Sequence, residues 1–255
     1  MAANRAQPHD GRTVRALVLS GGGLFGAWQA GAWSALAGRF HPDLIVGASA
    51  GSLNGYLIAC GESPEMLHRL WLTREMADFR QLGRNLRELT AHCRPKIDFA
   101  VVATDVVRRK PRIFRGPEIT WRHLAASCAL PFLLPQIRIE GRLYTDGGLL
   151  NPLPVYAAVE LGAAEIVALH ALAEIPCTLL KPLVLTFRAA FGHNPAVPPA
   201  VKLATVQPGR RLGTLRDTVV WKRENIEKWL RQGYEDATRE PALAPWFVTE
   251  KTFPF

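Results

Sequence analysis

The chain holds no run of apolar residues long enough to cross a bilayer as a helix, for which about 18 in succession would be needed. Cysteine is scarce as well. Cys60, Cys93, Cys128 and Cys177 show neither a C-x-x-C pair nor metal-ligand spacing. They read as reduced, buried thiols, which makes the cytoplasm the expected compartment. Residues 1–13 are polar and lack the apolar core of a secretory signal, so they read as a flexible tail before one domain over 14–255. Acidic residues fall short of basic ones, 22 against 31, for a net charge of +9. Histidine is present seven times, yet never in a setting typical of a catalytic triad.

What remains is globular in composition, with 48% hydrophobic and 21% charged residues, and long enough for one large α/β domain. The positive balance favours anionic surfaces such as phospholipid headgroups or nucleic acid. A solvated face would carry the same charge. The aromatics do not interleave with the basic clusters Arg108-Arg109-Lys110 and Arg210-Arg211, and no nucleic-acid motif is present, so nucleic acid is not the expected partner. Peripheral contact with an anionic membrane is. The sequence leaves the oligomeric state open.

The chain is organised around Leu44–Leu53, an apolar strand-like run that ends in Gly47-Ala48-Ser49-Ala50-Gly51 and passes into a helical pattern. That is the form of a nucleophile elbow, a sharp strand-to-helix turn that projects a serine hydroxyl. The turn crowds the backbone, and Gly47, Ala48, Ala50 and Gly51 supply the small flanks it needs. A helix N-terminus beyond it places free amides and a positive dipole end beside the hydroxyl.

Upstream, the apolar strand Val14–Leu19 runs into Ser20-Gly21-Gly22-Gly23-Leu24-Phe25-Gly26, and a helix is expected over 27–39. Gly21, Gly23 and Gly26 fit the dinucleotide fingerprint, which also needs an acidic residue at the end of the next strand. The next strand, 43–46, ends in Gly47-Ala48-Ser49 instead. A glycine run with free amides can equally hold an oxyanion, or simply allow close helix–sheet packing.

Downstream, one or two helices are expected over 65–90, a central strand over 97–104 and a partner strand near Arg112–Phe114. A short helix over 120–128 leads to the apolar loop 130–135, which two prolines keep out of a helix. A hairpin about Glu140-Gly141 delivers Asp146-Gly147-Gly148. Asp146 there is a bland turn residue or a catalytic carboxylate. Further strands are expected at 165–169, 183–187 and 201–206. Asp217 is expected to cap a final helix whose buried face carries Ile226, Trp229, Leu230, Gly233, Tyr234 and Ala237. A serine needs a base, and in the order Ser, Asp, His only His170 and His193 follow Asp146.

The blocks Gly21–Gly26, Gly47–Gly51 and Asp146-Gly147-Gly148, with Ala126-Ser127-Cys128-Ala129-Leu130-Pro131 ahead of the last, resemble those of the patatin-like phospholipases. The resemblance spans roughly residues 14–170. It implies a three-layer α/β fold with a mainly parallel sheet, and a Ser–Asp dyad that hydrolyses lipid esters without histidine, metal ion or other cofactor. Carried over, Ser49 is the nucleophile and Asp146 its base or orienting partner. Gly21, Gly22, Gly23 and Ala50 offer oxyanion amides, and Gly26, Gly47, Gly51, Gly147 and Gly148 support the turns. Many members carry a basic residue where this chain has Phe25, which would leave the oxyanion to backbone amides alone. The same site would serve an acyltransferase if an alcohol outcompeted water. A catalytically weak protein that binds anionic surfaces or nucleic acid is the rival class.

Overall fold

The computed structural model describes residues 13–78, 80–131, 133–174 and 195–246. The expectations for the tail 1–12, the strand 183–187, Cys177 and His193 lie outside these residues.

Five strands form a parallel sheet: β1 (Val14–Leu19), β2 (Leu44–Ala48), β3 (Asp98–Asp105), β7 (Ala163–Leu169) and β8 (Lys202–Val206), in the order β3-β2-β1-β7-β8. β1, β2 and β3 are buried on both faces, which is why they read as apolar runs rather than alternating ones, whereas Lys202 and Leu203 of β8 are exposed. β4 (Lys110–Arg115) lies antiparallel to β3 across the basic turn, as expected. The hairpin β5 (Ile137–Ile139) and β6 (Arg142–Thr145) turns at Glu140 and Gly141, both with positive φ. Those signs match the twist of a two-residue hairpin loop.

Leu17, Leu19, Ile45 and Phe99 face a large apolar layer built with α1 (Gly26–Leu36), α2 (Ala50–Cys60), α3 (Pro64–Leu72), α4 (Leu82–His92), α5 (Trp121–Ser127) and the last helix α7 (Arg223–Arg239). Ala16, Val18, Val46 and Val102 face a second layer with α6 (Val155–Glu160). The chain is therefore the three-layer α/β domain expected. The stretch 65–90 resolves into two helices, α3 being capped by Ser63, whose side chain accepts from the Met66 amide at 3.3 Å.

The tightest crossing joins α1 and α7. A Cβ on Gly31 would overlap the Leu230 carbonyl, and one on Gly233 would overlap that of Trp28. Phe25 stacks edge-on against Trp229 at 5.0 Å, and Trp28 Nε1 donates to Asp236 at 2.8 Å. Gly233 thus sits at the centre of the buried stripe of α7. Tyr234, expected in that stripe, is turned out and 51% exposed, and Gln232 is buried in its place.

Two further expectations are corrected. Asp217 does not cap α7, which begins at Arg223 after Lys222. It accepts from the Thr214 amide and hydroxyl at 2.8 and 2.7 Å, and these bonds hold its carboxyl below the usual range. Cys60 and Cys93 are not free thiols but form a disulfide. The segment after α4 is tied to the end of α2, with Lys96 and Ile97 amides donating to the Ala59 carbonyl and the Tyr56 hydroxyl to that of Cys93. This brings the two Cα atoms to 6.0 Å, inside the range a disulfide spans. A separation of 33 residues gives no sequence signal for it. The cysteines therefore give no support for a reducing compartment. No described helix is long and apolar enough to cross a membrane.

Candidate active site

β2 ends at Ala48 and α2 starts at Ala50, so Ser49 alone makes the turn, with φ 52° and ψ −128°. A non-glycine residue held in such a conformation costs about 1–3 kcal/mol and persists only where the surroundings impose it. Here they do. The Ser49 amide donates to Ser127 Oγ at 2.8 Å, and the Ser49 carbonyl accepts from Ser52 Oγ at 2.7 Å. A Cβ on Gly51 would meet the Ser20 carbonyl at 2.5 Å, so α2 sits flush against the end of β1. Gly47 packs the same way, onto the Gly51 carbonyl. Ser49 is 5% exposed, and its Oγ makes no hydrogen bond among the described residues.

Asp146 reaches the same place by strand pairing. β2 pairs with β3 only as far as Ala48↔Val102, whereas β3 runs on to Asp105. β4 occupies the far edge of β3, so the edge that β2 vacates is taken by β6, with Thr104↔Thr145 and Asp105↔Tyr144. Extending both registers by one residue sets Ser49 and Asp146 at the level of Ala103. Asp146 is 2% exposed. Its amide donates to the Ala129 carbonyl at 3.0 Å, its carbonyl accepts from Thr104 Oγ1 at 2.8 Å, and Oδ1 accepts from the Gly148 amide at 2.8 Å.

The glycine loop closes the arrangement. A Cβ on Gly21 would lie 3.4 Å from Ser49 Cβ and 3.5 Å from Gly148 Cα, so Gly21 stands between the elbow and the aspartate loop. Its amide is already committed, donating to the Pro152 carbonyl at 2.8 Å. Gly21 is therefore removed from the expected set of oxyanion donors. The amides of Gly22 and Gly23 make no hydrogen bond among the described residues, and Ala50, first residue of α2, has no intrahelical partner for its N–H. Gly26 opens α1 in contact with Trp71, and Gly147 packs onto the Val102 carbonyl. Phe25, buried against Trp229, anchors the loop to α7 rather than facing the serine.

Three polar side chains to which the sequence assigned no role, Ser127 within the block Ala126–Pro131 and Asn54 and Gln29 outside any block, hold these pieces. Ser127 Oγ donates to the Val102 carbonyl at 2.6 Å while accepting from Ser49, and the Ser127 carbonyl accepts from the Gly147 amide at 3.1 Å. One fully buried residue thus ties the elbow to the aspartate loop. A buried chain runs from Trp71 Nε1 to Asn54 Oδ1 at 2.9 Å, then from Asn54 Nδ2 to Gln29 Oε1 at 3.2 Å, and from Gln29 Nε2 to the Ser20 carbonyl at 2.7 Å. It ends at the residue before the glycine triplet. The available signal was Gln29 and Asn54 standing in otherwise apolar helices.

Cys128 lies alongside. Burial first, then the charge of Asp146, push its thiol far up, against a hydrogen bond with Ser52. It stays a neutral thiol. Three histidines have local duties: His68 meets Ser34 Oγ at 2.8 Å, His92 the Glu88 carbonyl at 2.8 Å, and His123 Nδ1 accepts from the Thr120 amide at 3.0 Å. His170 follows β7, two strands from β2 in the sheet. Among the described residues no cluster of three His, Cys, Asp or Glu side chains could hold a metal ion.

Over most of its length the chain is similar in fold to VipD from Legionella pneumophila, with a TM-score of 0.54 at 13% identity, covering 92% of this chain and 68% of that one. In sequence it is 29% identical over 181 residues to lysophospholipase nte1 of Aspergillus oryzae, which is 62% of this chain and 12% of that protein. It is 27% identical over 180 residues to patatin-like phospholipase domain-containing protein 7 of Rattus norvegicus, 60% of this chain and 13% of that protein. An uncharacterized NTE family protein of Mycobacterium tuberculosis strain H37Rv is 29% identical over 160 residues, 55% of this chain and 44% of that protein. The chain thus matches about an eighth of the first two relatives' length. The family model for patatin-like phospholipases matches residues 17–100 and 94–159, a span that takes in the glycine loop, the serine elbow and the aspartate loop, and the chain belongs to that family.

Proposed function

We propose that the protein is a serine-dependent acyl hydrolase of lipid esters, with Ser49 as nucleophile and Asp146 as its base. The observation that carries this is Gly21 packed between Ser49 and Gly148, with Ser49 held in the strained elbow. Ser49 Oγ attacks the ester carbonyl carbon as its proton passes to the Asp146 carboxylate. The oxyanion accepts hydrogen bonds from the amides of Gly22, Gly23 and Ala50, and the dipole of α2 favours the negative charge. Collapse expels the alcohol, which takes the proton from Asp146. Water, giving its own proton to Asp146, then attacks the acyl-enzyme; the C–Oγ bond breaks, Ser49 Oγ takes that proton back from Asp146, and the fatty acid is released. The hydrogen bond from Ser49 Oγ to Asp146 forms on substrate entry, since catalytic hydrogen bonds often tighten only in the complex. The phospholipase and lysophospholipase names of the relatives point to glycerophospholipid esters as the substrate class.

The test is labelling with a fluorophosphonate probe, followed by peptide mass spectrometry and turnover of a short-chain ester. Label is expected on Ser49 and lost in Ser49→Ala. Asp146→Asn should lower kcat by about 10³-fold or more, as loss of a triad carboxylate does, while His170→Ala remains active. Label on another serine, or activity retained in Ser49→Ala, would overturn the assignment.

A further inference from the structure

Every parallel strand ends on the side of the sheet where Ser49 lies, and the described loops that leave this edge carry exposed basic and apolar side chains. Beyond β3 the turn presents Val107, 81% exposed, followed by exposed Arg108, Arg109 and Lys110. The β5–β6 hairpin overhangs the same edge, because the Val106 amide donates to the Leu143 carbonyl and the turn lies further out. It carries exposed Arg138 and Arg142. The loop from Ala129, whose carbonyl holds the Asp146 amide, carries Leu133 at 51% exposure. On the other flank, past β8, come exposed Arg210 and Arg211, then Leu215 at 47% and Arg216. These sit beside the glycine loop, since a Cβ on Gly23 would strike the Thr218 carbonyl and Phe25 lines one small cavity with Arg210 and Arg211. Among the described residues of these loops, eight exposed basic side chains thus stand beside two exposed acidic ones, Glu140 and Glu174.

At the opposite edge of the sheet several basic side chains are paired with carboxylates. There Arg15 and Lys202 both pair with Glu165, at 3.6 and 3.1 Å, and Arg115 pairs with Asp98. A surplus of positive charge thus stands around the mouth of the site, together with solvent-exposed apolar side chains at loop tips. Cations interspersed with apolar tips suit a bilayer surface, where headgroup phosphates and carboxylates meet the charges and the acyl boundary takes the apolar tips. Nucleic acid would use the charges but has no place for exposed valine and leucine tips.

We propose that this edge is a docking face for anionic lipid bilayers. Val107, Leu133 and Leu215 enter the headgroup layer, and the flanking arginines and lysine hold the mouth of the site against it. Only the identity of what is docked, an assembly of substrate, rests on the reading of Ser49 as a lipid esterase nucleophile.

The experiment uses the full chain carrying Ser49→Ala, so that lipid is not consumed and binding does not depend on whether Ser49 reacts. Co-sedimentation is measured with phosphatidylcholine vesicles, with and without phosphatidylserine, at low and high salt. Binding should require phosphatidylserine and collapse at high salt. Each basic side chain near an anionic surface strengthens binding about fivefold, so Arg108→Glu/Lys110→Glu should weaken it by about 25-fold or more. Arg210→Glu/Arg216→Glu, on the other flank, should do the same. Val107→Asp should weaken it too, with the melting temperature unchanged because the side chain stands in solvent. Arg94→Glu/Lys96→Glu, exposed at the opposite edge where the chain enters β3, makes the same change in net charge and should leave binding near that of the parent. Equal loss in all three charge-reversal pairs, equal binding to neutral and anionic vesicles, or retention of RNA without vesicle binding would each overturn the proposal.

Discussion

Ser127→Ala probes the joint on which the site depends. Ser127 is fully buried, and its hydroxyl makes two bonds at once, accepting from the Ser49 amide at 2.8 Å and donating to the Val102 carbonyl at 2.6 Å. Alanine fits the space but leaves a donor and an acceptor unpaired where water has little access. Each such group costs about 1–3 kcal/mol, for a loss of about 2–6 kcal/mol in stability. In a domain of this size, at about 2–4 °C per kcal/mol, that lowers Tm by about 4–24 °C. The effect on rate is separable. The bond to Ser127 opposes the strain at Ser49 φ 52°, and if losing it lets the elbow relax by about 1.4 kcal/mol, kcat falls about tenfold. KM for a small soluble ester should change little, because Ser127 is fully buried and acts only through the elbow. Differential scanning calorimetry gives the first number and hydrolysis of a p-nitrophenyl ester the second, measured well below Tm. Ser127→Thr keeps the hydroxyl but adds a methyl to a closed space, so it should recover kcat more than stability. An alanine variant with both Tm and kcat unchanged within error would refute the reasoning.

The α1–α7 crossing sets helix propensity against sterics. Gly233→Ala gains up to about 1 kcal/mol of helix propensity but drives a methyl into the Trp28 carbonyl, an overpacking cost of about 1–3 kcal/mol, so it should lower Tm. At Gly83 in α4 the added methyl meets nothing within 4 Å, and Gly83→Ala should leave Tm level or raise it. The same melting scans decide both. Burial holds His68 below its ordinary 6.5, so the unfolded chain takes up that proton at a higher pH than the folded one. Its contribution to stability is then complete above pH 6.5 and is lost as pH falls from there through the folded value. His68→Gln should flatten the decline in Tm between neutral and mildly acidic pH, and an unaltered pH profile would exclude His68 from it.

Local pattern settled the parts of this molecule that local chemistry controls. The turn at Ser49 was legible because a strand cannot pass into a helix within one residue unless its flanks are small. The hairpin at Glu140-Gly141 and the apolar loop about Leu130 were legible for similar reasons of backbone allowance. The buried strands were legible as unbroken apolar runs, and the order of the glycine, serine and aspartate blocks pointed to the family. Bounds of elements slipped by a few residues: α1 stops at Leu36 and β2 runs to Ala48, since the ends are set by what each packs against.

Tertiary structure alone decided what depends on contacts between distant residues. That Asp146 comes level with Ser49 follows from β6 taking the edge of β3 that β2 leaves, a matter of sheet register that no local window contains. That the Gly21 amide is spent on Pro152, and that Phe25 turns inward to Trp229, could be known only once those partners were in place. Cys60 and Cys93 read as separate thiols because the ties between the ends of α2 and α4 lie in their fold rather than their spacing. The charge of +9 was evident in the composition. That much of it meets at the carboxyl ends of the strands was not, because parallel strands alternating with helices send every carboxyl-end loop to the same side whatever their distance along the chain.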